Sequence, residues 1–221
     1  MSRMARAPLP LLGEVAFSDQ RYRERSTTQP TTKRVVDGDG EEFYPTPAWV
    51  TKALLRYERF SGDIWECACG DGAISDELIK AGHDVYSSDL YDRGYGEKDV
   101  DFLRCGRLAD NIITNPPYNL AGYFVLNAVK HSKRKVALLL RLAFLESAER
   151  YRKIFRPAPP SRVWAFSERI TFYPKGAVRK GTGTTAYAWL VWDKESADEC
   201  KLGWIAPGQK PGSRHGSNTL D

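Results

Sequence analysis

Residues 63–89, DIWECACGDGAISDELIKAGHDVYSSD, decide the fold of this chain. They predict a strand, a turn, a helix and a second strand, at 63–67, 68–72, 73–81 and 84–89. Gly70 and Gly72 in the turn permit a tight bend and let a ligand come close to the backbone. The stretch therefore predicts a βαβ unit with a ligand site at its first turn.

The carboxylate that ends the second strand indicates what this ligand is. Asp89 lies roughly 20 residues after the glycines, where an acidic side chain binds ribose hydroxyls in nucleotide-binding βαβ units. The third glycine of the dinucleotide fingerprint is absent after Gly72. The turn therefore favours a nucleoside cofactor over a pyrophosphate.

A second motif, Asn115-Pro116-Pro117-Tyr118, follows a short apolar run at 111–114 that predicts another buried strand. Two successive prolines hold the backbone extended and remove two amide donors. The Asn115 amide oxygen and nearby carbonyls then point outward as acceptors beside a planar tyrosine. This arrangement suits a planar substrate with an exocyclic amine, and a rigid turn is the alternative interpretation.

Five motifs occur in order along the chain: Phe43-Tyr44-Pro45-Thr46-Pro47, Glu66-x-x-Cys69-Gly70-x-Gly72, Asp89, Asp101-Phe102 and Asn115-Pro116-Pro117-Tyr118. Together they resemble the amino-methyltransferases that use S-adenosylmethionine, and they are most similar to the DNA N6-adenine methyltransferases. The resemblance covers residues 41–192. It implies an α/β fold of the Rossmann-like class I methyltransferase type, with a doubly wound, mostly parallel sheet that ends in an antiparallel hairpin.

The remaining sequence alternates between helices and strands, as such a fold requires. Helices are predicted at 48–60, 120–132 and 147–155. Strands are predicted at 136–141, 162–172 and 184–192, and the last two are expected to form the hairpin. The methyltransferase domain is expected to cover residues 41–202.

The resemblance assigns a set of residues to S-adenosylmethionine: Tyr44, Thr46, Glu66, Cys69, Gly70, Gly72, Asp89, Asp101, Phe102 and Asn115. Glu66 and three residues of the turn, Cys69, Gly70 and Gly72, line the methionine moiety. Tyr44 and Thr46 cover it. Asp89 binds the ribose, whereas Asp101 and Phe102 hold the adenine by a hydrogen bond and by stacking. Three assignments have structural alternatives: Asp101 also suits a turn or helix cap, Phe102 also suits the core, and Glu66 at a strand end also suits hydrogen bonds with neighbouring amides.

The same resemblance makes Asn115, Pro116, Pro117 and Tyr118 the catalytic residues. The lone pair of an exocyclic amine is delocalised into the ring, so the amine is a poor nucleophile. Hydrogen bonds from its protons to the Asn115 side chain and the Pro116 carbonyl would localise the lone pair and direct it at the methyl group. Tyr118 would stack on a target base flipped out of the helix. This transfer needs no metal ion.

Short elements are expected to recognise the nucleic acid, because the chain leaves no room for a large target-recognition domain. The best candidate is the loop 173–183 between the last two strands, which is rich in glycine and has three positive charges. The substrate-binding residues predicted with Tyr118 are Phe172, Tyr173, Lys175, Arg179 and Lys180. Basic clusters at 130–135 and 150–156 would extend this positive surface, and a flexible loop and solvated helix faces are the alternatives.

Positive charge is concentrated near the start of the chain. The sequence has 33 Lys and Arg against 28 Asp and Glu, a net charge of +5. Residues 1–34 alone contribute +4, from seven basic and three acidic residues. Residues 1–40 are predicted to be a mobile basic arm that either contacts phosphates or is only solvated. Residues 203–221, rich in Gly, Pro and Ser, predict a disordered tail.

Composition also indicates compartment and partners. No apolar run approaches the ~20 residues that a membrane span needs, and no secretory signal is visible, so a cytoplasmic protein without a membrane partner is expected. The four cysteines form no C-x-x-C pair, and no metal site is expected. The expected partner is nucleic acid, with DNA preferred over RNA, and a homodimer is a further hypothesis.

Four functions are compatible with these motifs. Methylation of the adenine N6 amine in DNA is favoured, followed by methylation of adenine or guanine amines in RNA, where the same four residues serve. Methylation of a protein glutamine amide is the third, and the Tyr-Pro-Thr-Pro entry argues against it. A nucleic-acid-binding module without catalysis is the fourth, and intact Asn115 and Tyr118 argue against it. A cytosine target is less expected, because N4-cytosine enzymes typically have Ser at the position of Asn115.

Overall fold

A computed structural model describes residues 44–173, 183–196 and 199–212 of the protein. They form a seven-stranded sheet with the order β2-β1-β3-β4-β6-β5-β7. Its strands are β1 (Ile64–Glu66), β2 (Val85–Ser87), β3 (Ala109–Thr114), β4 (Ser132–Arg141), β5 (Arg162–Phe166), β6 (Tyr187–Asp193) and β7 (Lys201–Ile205). Strand β6 is antiparallel to both neighbours, and the other pairings are parallel. The predicted mostly parallel sheet with an antiparallel strand pair is confirmed.

The helices that connect the strands along the chain pack on this sheet. They are α1 (Ala48–Tyr57), α2 (Ala73–Lys80), α3 (Ala121–His131) and α4 (Ala148–Arg150), which continues into a π-helical turn at Tyr151–Phe155. Short 3-10 turns occupy Tyr118–Leu120 and Leu142–Leu145. In the part of the chain that the structure describes, no helix has the length and apolar character needed to cross a membrane.

The apolar residues in the second half of β4 show why helices cover both faces of the sheet. Leu138 and Leu140 pack with Phe124 of α3 on one face. Leu139, which points the other way, packs with Leu54 of α1. Successive strand residues face opposite sides, so a continuous apolar run is typical of a parallel strand with a helix layer on each face. The predicted doubly wound architecture follows directly from this run.

The order of the strands fixes where a ligand can bind. From β1 the chain passes through α2 to β2 on one side, and it then crosses over to β3 on the other side. The crevice between the carboxyl ends of β1 and β3 is therefore a topological switch point, the usual ligand site of open α/β sheets. Because the glycine-rich turn follows β1 and Asn115 follows β3, the two sequence motifs meet at this crevice.

Strand β7 departs from the sequence prediction. Residues 201–205 pair in parallel with β5, so the prediction of a disordered tail is wrong for residues 203–205. The strand lacks the alternation of a half-buried strand, because Leu202 and Trp204 are 56% and 64% exposed and Gly203 makes room for the Trp164 ring. The basic arm at 1–40 and the end of the tail at 213–221 lie outside the described residues.

Candidate active site

Asp89 anchors the turn that follows β1. Its Oδ2 accepts a hydrogen bond from the Gly70 N–H at 2.8 Å, and its Oδ1 accepts one from the Tyr91 N–H at 3.0 Å. The side chain is 8% exposed. Each carboxylate oxygen can accept a second hydrogen bond. The carboxylate therefore holds the turn in place and retains acceptor capacity for the hydroxyls of a ligand.

Gly72 is the N-cap of α2 and has the left-handed φ of 86°. A Cβ atom here would lie 2.4 Å from the ring of Tyr95, so only glycine fits without moving that ring. The Tyr95 hydroxyl contacts Asp76 in the first turn of α2, and burial together with this hydrogen bond raises the pKa of Tyr95 to about 12. An aromatic ring therefore closes one side of the glycine-rich turn. The sequence motifs do not indicate Tyr95.

Glu66 and Cys69 lie buried beside this turn. Glu66 Oε2 accepts a hydrogen bond from Ser75 Oγ, which lies 2.7 Å from Ser87 Oγ. Burial raises the pKa of the Glu66 carboxyl well above its usual value, so its protonated form persists over a wider pH range. Burial also raises the pKa of Cys69 to about 12, which keeps this thiol neutral at physiological pH.

The raised pKa of Glu66 makes stability depend on pH. The folded state keeps the proton where the unfolded chain releases it, so the free energy of unfolding falls as pH rises from about 4.3 through the folded pKa, by at most about 1.4 kcal/mol per pH unit. Glu66→Gln removes this titration. We expect the melting temperature of the variant, relative to wild type, to increase as the pH is raised from below about 4.3 towards neutrality.

The control for this experiment is Glu149→Gln, which replaces an exposed carboxylate paired with Lys153 at 2.8 Å. Its melting temperature should follow that of the wild type at each pH. If the difference in melting temperature between Glu66→Gln and wild type were the same at low and at neutral pH, the buried carboxyl would not have the raised pKa described above.

Asn115 is held by the extended segment that precedes α1. Its Nδ2 donates a hydrogen bond to Thr46 Oγ1 at 3.1 Å, which joins two predicted site residues from distant parts of the chain. Thr46 is 5% exposed. Asn115 Oδ1 is buried and has no hydrogen-bond partner in the structure. An unsatisfied buried acceptor costs about 1–3 kcal/mol, so this oxygen is available to a donor that enters the crevice.

The ring of Tyr118 packs against an aromatic ring and a cation. The ring of Tyr187 is 5.7 Å away between centroids, at an interplanar angle of 40°. The guanidinium carbon of Arg141 lies 4.7 Å from the centroid of the Tyr118 ring. Burial, with a contribution from the Tyr187 hydroxyl, raises the pKa of Tyr118 well above its usual value. The predicted platform for a base is therefore covered by Arg141, a residue that the sequence motifs do not indicate.

Phe172 belongs to the same aromatic group. Its ring packs edge-on against Tyr187, with 5.1 Å between centroids and an angle of 69°. Tyr187 thus links it to Tyr118, and the structure brings this predicted residue to the site. Tyr173 and Tyr44 are half-buried. The predicted loop residues Lys175, Arg179 and Lys180 lie outside the described residues.

Asp101 and Phe102 have structural roles in this fold. Asp101 Oδ1 accepts a hydrogen bond from the Leu103 N–H at 3.0 Å, as a turn residue does. Phe102 is 2% exposed, and its ring centroid lies 5.1 Å from Trp65 and 4.9 Å from Phe124. These contacts place Phe102 in the core and leave no open ring face for an adenine. The structural alternatives considered for both residues match their contacts.

The basic cluster at 130–135 lies at the far end of the sheet from the site. It surrounds the start of β4, whereas the crevice lies at the carboxyl ends of the parallel strands, about 20 Å further along β4. Two of its charges are also paired: Arg134 with Glu195 at 2.9 Å, and Lys135 with Glu58 at 3.3 Å. These ion pairs match the alternative of a solvated face, and the cluster does not lie beside the crevice.

Comparison with known proteins identifies the fold. No protein-family model and no curated protein sequence matches the chain. Among solved structures, a protein described as the modification subunit of a type I restriction enzyme from Vibrio vulnificus YJ016 is 14% identical, with a TM-score of 0.56 over 79% of this chain and 49% of that one. A protein from Pyrococcus horikoshii described as an RNA methyltransferase is 15% identical, with a TM-score of 0.52 over 76% and 92%.

A dimethyladenosine transferase from Plasmodium falciparum is a third match, 14% identical with a TM-score of 0.50 over 69% of this chain and 62% of that one. The chain spans about half the length of the modification subunit. At such low identity the likeness concerns the fold. The protein has the Rossmann-like fold of the class I, S-adenosylmethionine-dependent methyltransferases.

Proposed function

We propose that the protein transfers a methyl group from S-adenosylmethionine to the exocyclic N6 amine of an adenine in DNA. The observation that supports this most is the Asn115 side chain. Its nitrogen is fixed by Thr46, and its oxygen is a buried acceptor without a donor. This oxygen lies at the switch-point crevice, directly after β3. An amine N–H is the donor that this position lacks.

The crevice also fits the proposed cofactor. Asp89 retains acceptor capacity for ribose hydroxyls. Gly72, the N-cap of α2, has no side chain, so no side-chain hydrogen bond occupies the amide groups at the start of this helix. The amide groups of a helix N-terminus favour a carboxylate such as that of a methionine moiety. When bound, the sulfonium of the cofactor would supply an activated methyl group.

The residues of the second motif would position the amine. Asn115 Oδ1 and the Pro116 carbonyl would each accept one amine proton, so the nitrogen lone pair points at the methyl group. The amine nitrogen would bond to this methyl group as the group leaves the sulfonium sulfur, and the amine would then release one proton to solvent. Phe172 and Tyr187 would enclose the base beside Tyr118. The described residues contain no cluster of metal-ligating side chains, and these steps require none.

RNA is the second candidate substrate. The Pyrococcus horikoshii protein described as an RNA methyltransferase aligns over 92% of its length with this chain, so its fold has no large addition. The same acceptors would also fit the amine of an unpaired adenine or guanine in RNA. Protein glutamine is the remaining alternative, because its amide nitrogen carries two protons in the same geometry.

Replacing Asp89 by alanine tests the cofactor site separately. We expect Asp89→Ala to weaken S-adenosylmethionine binding by roughly 10- to 100-fold in titration calorimetry, because charge-assisted hydrogen bonds contribute about 1.5–3 kcal/mol. Asp92→Ala is the matched control, since this exposed carboxylate of the same loop pairs only with Lys98 and Gly94 in the described contacts. Equal affinity in wild type and Asp89→Ala would contradict the assignment.

The substrate class is tested by incubating the protein with radiolabelled S-adenosylmethionine and one of four acceptors. These are duplex DNA, single-stranded DNA, RNA and a protein extract, followed by digestion and identification of the labelled product. We expect label in DNA adenine. Label confined to protein glutamine, or absent from every acceptor, would contradict the proposal, and label confined to RNA would select the second candidate.

A further inference from the structure

Arg141 is a half-buried cation beside Tyr118, and one of its buried donors has no hydrogen-bond partner. It is the last residue of β4, and its Nε is buried without a hydrogen-bond partner. Among the residues that the structure describes, no carboxylate is paired with it. A buried unsatisfied donor costs about 1–3 kcal/mol and more when it is charged. An acceptor that arrives with a ligand would remove this cost.

Within the described part of the chain, the groups around Arg141 provide no counter-charge. Tyr187 pairs with Arg141 across β4 and β6, and Tyr118 lies under the guanidinium. Burial holds the pKa of Tyr118 well above its usual value, so its hydroxyl remains neutral. The next residue, Leu142, lines a largely apolar surface groove of about 600 Å³, to which Glu146 adds one carboxylate. That carboxylate makes no ion pair with Arg141 in the structure.

Arg141 and a stacked base cannot share the same face of Tyr118. The guanidinium carbon is 4.7 Å from the ring centroid, whereas an interposed base would hold the two about 7 Å apart, at about 3.5 Å for each contact. Entry of a base onto this face therefore displaces the guanidinium. A displaced cation at the mouth of the site stays within side-chain reach of the backbone phosphates that flank a flipped nucleotide.

We propose that Arg141 is a phosphate-binding positioning residue for the target nucleotide. Without substrate it covers Tyr118; when the base enters, the guanidinium moves off the ring and donates hydrogen bonds to a phosphate of the same nucleotide. This inference rests on the proposed function, because it requires a nucleic acid at the Asn115–Tyr118 site. It also explains the unsatisfied Nε, which a phosphate oxygen would satisfy.

The test measures binding of a short, fluorescently labelled oligodeoxyadenylate by anisotropy, at salt concentrations between about 50 and 200 mM. Each phosphate contact adds about 0.7 to the slope of log affinity against log salt for a single strand. We expect Arg141→Gln to lower the magnitude of this slope by about 0.7 and to weaken binding roughly tenfold at low salt. Arg141→Lys keeps the charge, so its slope should equal that of wild type.

Arg134→Gln is the matched control, because Arg134 is on the same strand but at the opposite end and pairs with Glu195. Its slope should not change. The inference would be overturned if Arg141→Gln kept the wild-type slope of log affinity against log salt. It would also be overturned if Arg134→Gln reduced this slope as much as Arg141→Gln does, or if Arg141→Lys reduced it. If the wild type transfers methyl to DNA but Arg141→Gln keeps the slope, only this inference fails. If the wild type transfers methyl to no nucleic acid, the proposed function fails.

Discussion

Asn115→Ala should reduce the rate constant of methyl transfer by roughly 10²–10³-fold, the usual effect of removing one preorganised hydrogen bond to a reacting group. The physical reason is the loss of the buried Oδ1 acceptor that would localise the lone pair of the amine. Asp89 and Gly70, which are proposed to hold the cofactor, are hydrogen-bonded to each other and would remain in place in this variant. We therefore expect S-adenosylmethionine binding to change by no more than a few-fold.

Two measurements separate this effect from unfolding: single-turnover transfer of labelled methyl, and calorimetric binding of the cofactor. The matched control is Asn119→Ala, which removes an exposed amide from the next turn of the same motif region. Its transfer rate should equal that of wild type. A wild-type rate in Asn115→Ala would show that the acceptor geometry is wrong.

Gly72→Ala is expected to have the second large effect. An alanine at the φ of 86° costs about 1–2 kcal/mol, and its Cβ would lie 2.4 Å from the Tyr95 ring. The ring must move and lose its hydrogen bond with Asp76, which adds about 1 kcal/mol. We expect a loss of about 2–3 kcal/mol in the free energy of unfolding and at least roughly tenfold weaker cofactor binding.

Gly82→Ala is the control, because Gly82 has nearly the same φ, 89°, but no atom lies within 4 Å of the added Cβ. It should show the backbone cost alone, about 1–2 kcal/mol, and normal cofactor binding. Denaturant unfolding gives the first quantity and calorimetry the second. If both glycine variants lost the same stability and bound the cofactor equally, the contact with Tyr95 would have no role in the site.

The parts of the site that the sequence predicts are those encoded locally. The glycine-rich turn, the carboxylate of Asp89 and the apolar run of β4 each follow from neighbouring residues and from strand or helix periodicity. Their meeting at one crevice follows from the rule that carboxyl ends of parallel strands share an edge of the sheet. These features need no knowledge of long-range register.

The features that the sequence does not predict depend on that register. Tyr187 reaches Tyr118 because β6 runs antiparallel to β4, which brings the first residue of β6 opposite Arg141 at the carboxyl edge. The residues around Tyr187 in the sequence do not indicate that its ring lies beside Tyr118. Tyr95 is similar, since only the folded loop after β2 brings its ring to Gly72.

Two residue assignments made from sequence depend on packing and on strand direction, which the sequence alone does not give. Phe102 is adjacent to a motif residue, yet its burial between Trp65 and Phe124 decides its role. The basic cluster at 130–135 includes the first residues of β4, and it therefore lies at the opposite end of the strand from the site. Composition alone does not distinguish the two ends of a strand.

The most direct test of the account is the identity of the methylated product. DNA incubated with the protein and S-adenosylmethionine can be digested to nucleosides and examined by mass spectrometry, with Asn115→Ala as the blank. The account predicts N6-methyladenine in the wild-type sample and its near absence from the blank. A wild-type protein that binds the cofactor but leaves every base of DNA and RNA unmethylated would contradict it.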